Sequence, residues 1–538
     1  MKKMRAIGAI VGAGLVLSSC SESARPASDD SSRDHFGYEL PVNVTTTNAG
    51  TLVGSTELAQ MLSGRLYPGV FVPGPSGQMI PNTDLVTTQV LPGAQRRVIY
   101  KLSADAHFSD GTPVTCTDYL LASTAGTMPE IFGSHMPLFK EVDEVVCEPG
   151  AKEFTVIFET GGGGLWRGLF EAGTVVPAHV VARKAGVEPS QLVEALSSRD
   201  PVALQPIAEA WRNGFNLDGF DPAMHVSFGP YRIETVGESG EVTLVTNDSY
   251  YGDPPRTPKL VVWPDSTDSE QLVKEGALRI ADLSQPHPQW LDLNAEDNPF
   301  DVERVAGDLT DTLTFAPAGV WSYPLNRQAL AACIDPSAAA RASSEASGVD
   351  VPPHLVHVVS ANDVLAGKFA DIVDRHATVD TNLASALAGM EVRVGYLGSS
   401  PHYPAMVEAL RVSCEPAGVK IVDAGAGKTL GDLPHVQLGE WGQETVTEGS
   451  IDLLLHPVDP GTQYSGGGAR AQDVPALRER EGKLWEELSS FPLAAQPRNF
   501  AVDRHVGNVS VYTGSAGLGW NMDRWQIAAP QPSSTTEN

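Results

Sequence analysis

The clearest periodic pattern of apolar positions lies between residues 391 and 457. Residues 391–397 (EVRVGYL) are rich in β-branched and aromatic side chains and predict a strand. Residues 403–415 follow with Met406, Val407, Leu410 and Cys414 at helical spacing, and Gly418 punctuates the end. Residues 419–422 read as a second strand. A strand–helix–strand unit favours parallel pairing and a right-handed crossover. Residues 451–455 (IDLLL) predict a further buried strand, and Leu477, Leu484, Trp485 and Leu488 line one face of a helix within 474–489. In the first half, 154–159 (FTVIFE), 241–246 (EVTLVT) and 259–263 (KLVVW) are short strands between turn-rich stretches. The four glycines 161–164 read as a connection between strand and helix, or as a place where a ligand approaches backbone. No internal repeat is visible.

At 538 residues the chain exceeds one ordinary domain, so two or three packed units are expected. Its 42% hydrophobic content supplies several cores, and 52 Gly with 40 Pro imply the many turns of a mixed α/β protein. The formal charge of −29 would repel phosphate backbones and anionic lipid headgroups, which excludes nucleic acid as a partner.

Residues 1–20 place Lys2, Lys3 and Arg5 before an apolar run, 6–17, and then Ser18 and Ser19. That run would span only about 18 Å of helix, too short to cross a bilayer, and fits a signal peptide over 1–19. Leu17-Ser18-Ser19-Cys20 resembles a bacterial lipobox, which implies a lipidated Cys20; an ordinary secretory leader is the alternative. Residues 20–36 then read as a lipid-anchored flexible tether and 529–538 as a disordered tail. The other cysteines, Cys116, Cys147, Cys333 and Cys414, are even in number for an exported chain; they are disulfide candidates with three possible pairings, or four buried thiols.

Several motifs suggest chemistry and fail on spacing. Gly425-Ala426-Gly427-Lys428-Thr429 ends like a phosphate-binding loop, but Val422 stands where the first glycine is needed. His354, His357 and His287 lack a completing cysteine or carboxylate cluster, so they read as solvated loop histidines and no metal is expected. No nucleophile elbow is present, and no cofactor or enzymatic activity is expected.

Residues 100–122 (YKLSADAHFSDGTPVTCTDYLLA) carry a resemblance. Phe108, Ser109, Asp110, Gly111, Thr112, Pro113, Val114, Thr115 and Asp118 match, position by position, the signature of family 5 solute-binding proteins, the extracytoplasmic receptors of peptide and nickel ABC importers. Physically this is a corner: Asp110-Gly111 turns, Pro113 stiffens the exit, and Thr115 is suited to cap the next helix. Arg65-Leu66-Tyr67, Gly229-Pro230-Tyr231, residues 241–251 with Asn247 and Tyr250, and residues 327–335 with Cys333 in place of an alanine are similar to further family stretches in the same order.

The resemblance implies an α/β, two-lobed periplasmic-binding-protein-like fold with an extra subdomain in lobe I. Mapped here, lobe I with its inserted subdomain covers 37–310, lobe II covers 311–492, and 493–528 returns to lobe I. Pairing Cys116 with Cys147 and Cys333 with Cys414 keeps each bridge within one lobe. The implied role is that of a lipid-anchored, monomeric receptor on the extracytoplasmic face of the bacterial cell membrane. It would capture oligopeptides or another small ligand between its lobes and deliver them to ABC permease subunits.

Peptide-binding members carry an aspartate that pairs with the peptide's amino group. Residues 455–464 (LHPVDPGTQY) keep the Asp-Pro of that motif, at Asp459, and lose its tryptophan and earlier Asp-Tyr. Asp459 is thus a candidate for a ligand ammonium or the start of the Pro460-Gly461 turn, and Trp441 and Tyr464 are candidates to stack on a ligand or to sit in the core. Trp166-Arg167 before Leu169-Phe170, then Pro177-Ala178-His179-Val180, and a late Leu484-Trp485 followed by Asn508-Val509-Ser510 are similar to LpqW-like lipoproteins, which implies a non-transport role in cell-envelope lipoglycan assembly as the rival.

Overall fold

The computed structural model describes residues 36–75, 77–439, 441–464 and 473–527. The signal peptide, most of the tether, Cys20 and the tail 529–538 lie outside them. Ten strands form the principal sheet: β1 (Phe36–Glu39), β2 (Tyr231–Val236), β3 (Val242–Thr246), β4 (Lys259–Trp263), β5 (Leu278–Asp282), β6 (Phe300–Phe315), β7 (Glu391–Tyr396), β8 (Lys420–Asp423), β9 (Leu453–Val458) and β10 (Ser490–Asp503). Their spatial order is β8-β7-β9-β6-β10-β5-β1-β4-β3-β2.

The two longest strands, β6 and β10, carry the chain between two bodies. They pair antiparallel along most of their length. At one end β6 pairs with β9 over residues 310–315, and at the other β10 pairs with β5 over 500–502. Pro497 and Pro492 of β10 sit beside the two breaks in register, where a residue without an N–H is tolerated. Two large apolar cores flank the crossing. One is built from Phe36 through Ile280 together with Phe500, Leu518, Met522 and Trp525 (lobe I below); the other runs from Leu313 to Ala495 (lobe II).

In lobe II, β7, the helix His402–Cys414 and β8 form the expected unit, with β7 and β8 parallel and Val392 opposite Ile421. The buried face of that helix is Met406, Val407, Leu410 and Cys414. In lobe I a separate four-stranded antiparallel sheet (Val86–Leu91, Arg97–Leu102, Glu153–Phe158, Val142–Cys147) backs the helix Cys116–Thr127. Thr115 caps that helix in a box with Asp118, whose second oxygen accepts from Ala178 N at 2.8 Å. One buried carboxylate therefore fixes the starts of two helices, and the corner leading into Thr115 is structural. The glycine run 161–164 makes a turn ahead of the short helix Trp166–Gly168.

Both disulfides form as paired above, Cys116–Cys147 and Cys333–Cys414, with Cα atoms 5.8 and 4.7 Å apart. The histidines correct the sequence reading. His354 and His357 are buried: His354 Nε2 meets Val359 O at 2.8 Å, and His357 bridges Glu481 Oε1 at 2.9 Å and Ser490 O at 3.1 Å. Glu481, on the helix Val474–Glu487, faces inward because it also accepts from the His357 and Val358 backbone N–H groups. His287 is exposed, and among the described residues no three such side chains lie close enough to hold a metal ion.

Candidate functional site

A cavity of about 90 Å³ lies where the lobes meet. Lobe I contributes Ser55, Thr56, Gln60, His135, Glu171 and Thr174, and lobe II contributes Leu430, His456, Asp459 and Gln463. Hydrogen bonds close the lobes around it: His135 Nε2 to Gln463 Oε1 at 2.7 Å, and Leu430 N to Thr56 Oγ1 at 3.1 Å. Farther out, Gln205 Nε2 donates to Leu438 O at 3.0 Å, and Ser399 Oγ donates to Asp265. Leu430 reaches the cavity because Thr429, the end of the false phosphate loop, caps the short helix Leu430–Asp432, while Lys428 is drawn to Asp432 at 3.6 Å.

Two carboxylates face this space from opposite sides. Asp459 begins the turn into the helix Pro460–Tyr464, with Oδ1 accepting from Gly461 N at 2.8 Å, so the turn role and the cavity role coincide. Glu171 follows Phe170, which is locked into lobe I against Tyr100, Tyr119 and Phe139, and its Oε2 accepts from Gln60 Nε2 at 2.9 Å. No lysine or arginine is among the described residues lining the cavity. Burial raises Glu171 to about 8, and the Asp459 charge adds to the rise; burial likewise raises Asp459, with a further contribution from Asp308. The imidazoles are neutral: burial lowers His135, and burial together with His135 lowers His456 to about 3.

The other two candidates lie elsewhere. Tyr464 is buried in lobe II, its hydroxyl 2.8 Å from Ser490 Oγ and its ring edge-on to His357, where it packs as core. Trp441 is 83% exposed, in the turn between the strands Val436–Leu438 and Glu444–Val446, and is not among the residues lining the cavity. Sequence reasoning missed Glu171, Gln60, His135, His456 and Gln463. His456 and Gln463 flank Asp459 in one motif, and that proximity was the available signal; the lobe I residues carried none.

Buried carboxyls also set how stability varies with pH. Burial raises Glu39 and Glu171 to about 8, Glu57 to about 7 and Asp118 to about 6. Each binds a proton more tightly folded than unfolded, so each favours the fold at low pH and loses that contribution as pH climbs through the raised value. Burial lowers His135, His225 and His354, takes His376 to about 4 and His456 to about 3, and so acts oppositely below the ordinary histidine value near 6.5. Above about pH 6.5 only the carboxyl effect remains. Urea unfolding is expected to show greatest stability near pH 6–6.5 and a fall toward pH 8 of about 1.4 kcal/mol per unit for each carboxyl still titrating. A rise over that interval would refute the assignment.

Comparison with known proteins extends these observations. Residues 91–365 match the family model described as bacterial extracellular solute-binding proteins, family 5 Middle. An uncharacterized lipoprotein of Mycobacterium tuberculosis is 26% identical, with 98% of each chain covered. Among solved structures, the oligopeptide-binding protein AppA of Bacillus subtilis, in complex with a nonapeptide, superposes with a TM-score of 0.65 at 11% identity, covering 92% of this chain and 99% of that one. The periplasmic EDTA-binding protein EppA gives 0.64 at 17% identity, covering 92% and 96%. The two-lobed α/β fold is common to these structures and this chain.

Proposed function

This chain belongs to the bacterial extracellular solute-binding proteins of family 5, and on that premise we propose that it is a lipid-anchored receptor on the extracytoplasmic face of the cell membrane. It captures a solute bearing a free amino group, the class that includes oligopeptides, between its lobes and presents it to the permease subunits of an ABC importer. The observation that carries this reading is Asp459, facing the interlobe cavity without a basic partner among the described residues. An ammonium group there would supply the missing positive charge in a partly enclosed site, where a charge-assisted hydrogen bond is strong. Lobe closure would follow because the ligand touches both lobes at once and so prefers the closed form.

The smallness of the cavity and the mycobacterial lipoprotein relative favour one rival, an LpqW-like role in lipoglycan assembly. The two part in a deletion strain. Loss of uptake of labelled peptides or amines, and cross-linking of the lipoprotein to a permease, are expected for the receptor. Unchanged uptake together with cross-linking to a mannosyltransferase would overturn it.

A further inference from the structure

The lining of the interlobe cavity carries more information than the presence of Asp459 alone. Glu171 brings a second carboxylate from the opposite lobe, and neither carboxylate has a lysine or arginine partner among the described residues. Among the described residues the basic groups acting nearest the cavity are Lys140, which is exposed and acts on His135, and Arg498, which acts on Tyr512 and is committed to Asp282. Asp308, also close, is held by Thr513 Oγ1 at 2.8 Å and Asn362 Nδ2 at 3.3 Å. Independently of the acids, His456 lines the same cavity at 6% exposure; Nε2 lies 2.9 Å from Thr314 Oγ1, and Nδ1 has no hydrogen-bond partner among the described residues. That free ring nitrogen can accept a hydrogen bond from a bound molecule.

We propose that this cavity selects compact organic cations that lack a carboxylate, simple amines above all, over zwitterionic amino acids and peptides. Glu171 and Asp459 accept from the cation on opposite sides, and His456 Nδ1 offers a third acceptor. The proposal rests on the receptor reading above and narrows its ligand. A zwitterion would bring its own carboxylate into a space lined by two acids and, among the described residues, by no lysine or arginine. Volume points the same way, since about 90 Å³ is well below the roughly 150 Å³ that admits benzene. Binding is coupled to proton release. The titratable groups around Glu171 are Asp459 and Tyr512, with His135 and His456 in the same cavity lining, and the positive charge of the ligand reverses the effect of burial on its carboxyl.

Calorimetry on the full-length lipoprotein in detergent tests this with matched pairs: ethanolamine against serine, and isobutylamine against valine, with trialanine as the peptide probe. Each amine is expected to bind at least tenfold more tightly than its amino acid. Affinity for the amine should increase from pH 6.5 to 8.5, with close to one proton released at pH 7 as read from buffers of different ionisation enthalpy. Glu171→Gln and Asp459→Asn should each weaken amine binding tenfold or more. The proton count on the unmodified protein tests the idea even if a variant does not fold. Binding of trialanine or the amino acids with no binding of the amines would overturn this proposal and leave the receptor reading intact. Binding of no probe would overturn both. Amine binding without proton release, or undiminished in Glu171→Gln, would remove Glu171 from the site and sink the two-carboxylate proposal.

Discussion

Replacing Cys333 and Cys414 together by alanine is expected to lower stability by about 4–5 kcal/mol, more than the roughly 3–4 kcal/mol expected for the Cys116 and Cys147 pair. The difference follows from chain length. The lobe II bridge closes 81 residues and the lobe I bridge 31, and the entropy withheld from the unfolded chain grows with the logarithm of that span. Location adds to it. Cys333 and Cys414 are both fully buried and join the segment after the helix Pro324–Ala331 to the end of His402–Cys414, so the enclosed chain includes β7. Cys147 is only half-buried. Urea unfolding of the two double variants under oxidising conditions should show the lobe II variant with the lower midpoint. Equal midpoints would mean that loop length does not control the effect. Mild reductant is expected to open Cys116–Cys147 first, because a thiolate can reach it.

What could be read from the chain, and what could not, follows from the range of the forces involved. The unit of β7, its helix and β8 was legible because its helix has one buried face and its strands run between clear breaks, all within 33 residues. The crossing strands were not. Residues 300–315 (FDVERVAGDLTDTLTF) alternate like a half-exposed strand in their first half and are buried on both faces in their second, because β6 has one neighbour at its start and two at its end. Two prolines in β10 argue locally against any strand at all, and only the register breaks opposite them resolve the conflict.

The same distinction holds in the cavity. Asp459 could be found from its own motif, whereas Glu171 is brought to it by the folding of both lobes and has no local mark. Aromatic residues mislead for the converse reason. Tyr464 and Trp441 have the same stacking capacity, yet one is core and the other a hairpin tip, and composition does not distinguish them. Glu481 is the sharpest case, a carboxylate in a charged helix (VPALREREGKLWEE) that turns inward because His357, more than a hundred residues earlier, offers it donors.

Arg498→Met should be among the most damaging single substitutions in the protein, costing about 3–5 kcal/mol, because it strips the partner from a buried carboxylate at the crossing between the lobes. Arg498 lies in β10 and Asp282 ends β5; both are almost completely buried, and the guanidinium donates to Asp282, to Thr513 O at 3.1 Å, and covers the ring of Phe500 at 5.1 Å. Burial raises Asp282 and the charge of Arg498 opposes that rise, so removing the arginine drives the carboxyl further up. A carboxyl raised in the folded state stabilises the fold below its unfolded value and loses that contribution as pH climbs. The deficit of the variant should therefore be small near pH 4 and grow toward pH 8. Asp282→Asn, which leaves the arginine buried and unpaired, should also destabilise, with a flatter pH profile because no acid remains at that position. The double variant should recover part of the loss, since it leaves no unpaired charge buried and only an amide to satisfy. Urea unfolding of all four proteins at pH 5 and pH 8 completes the cycle. Strictly additive losses would mean that the pair does not act as a unit, and that the crossing strands are held by their backbone ladder alone.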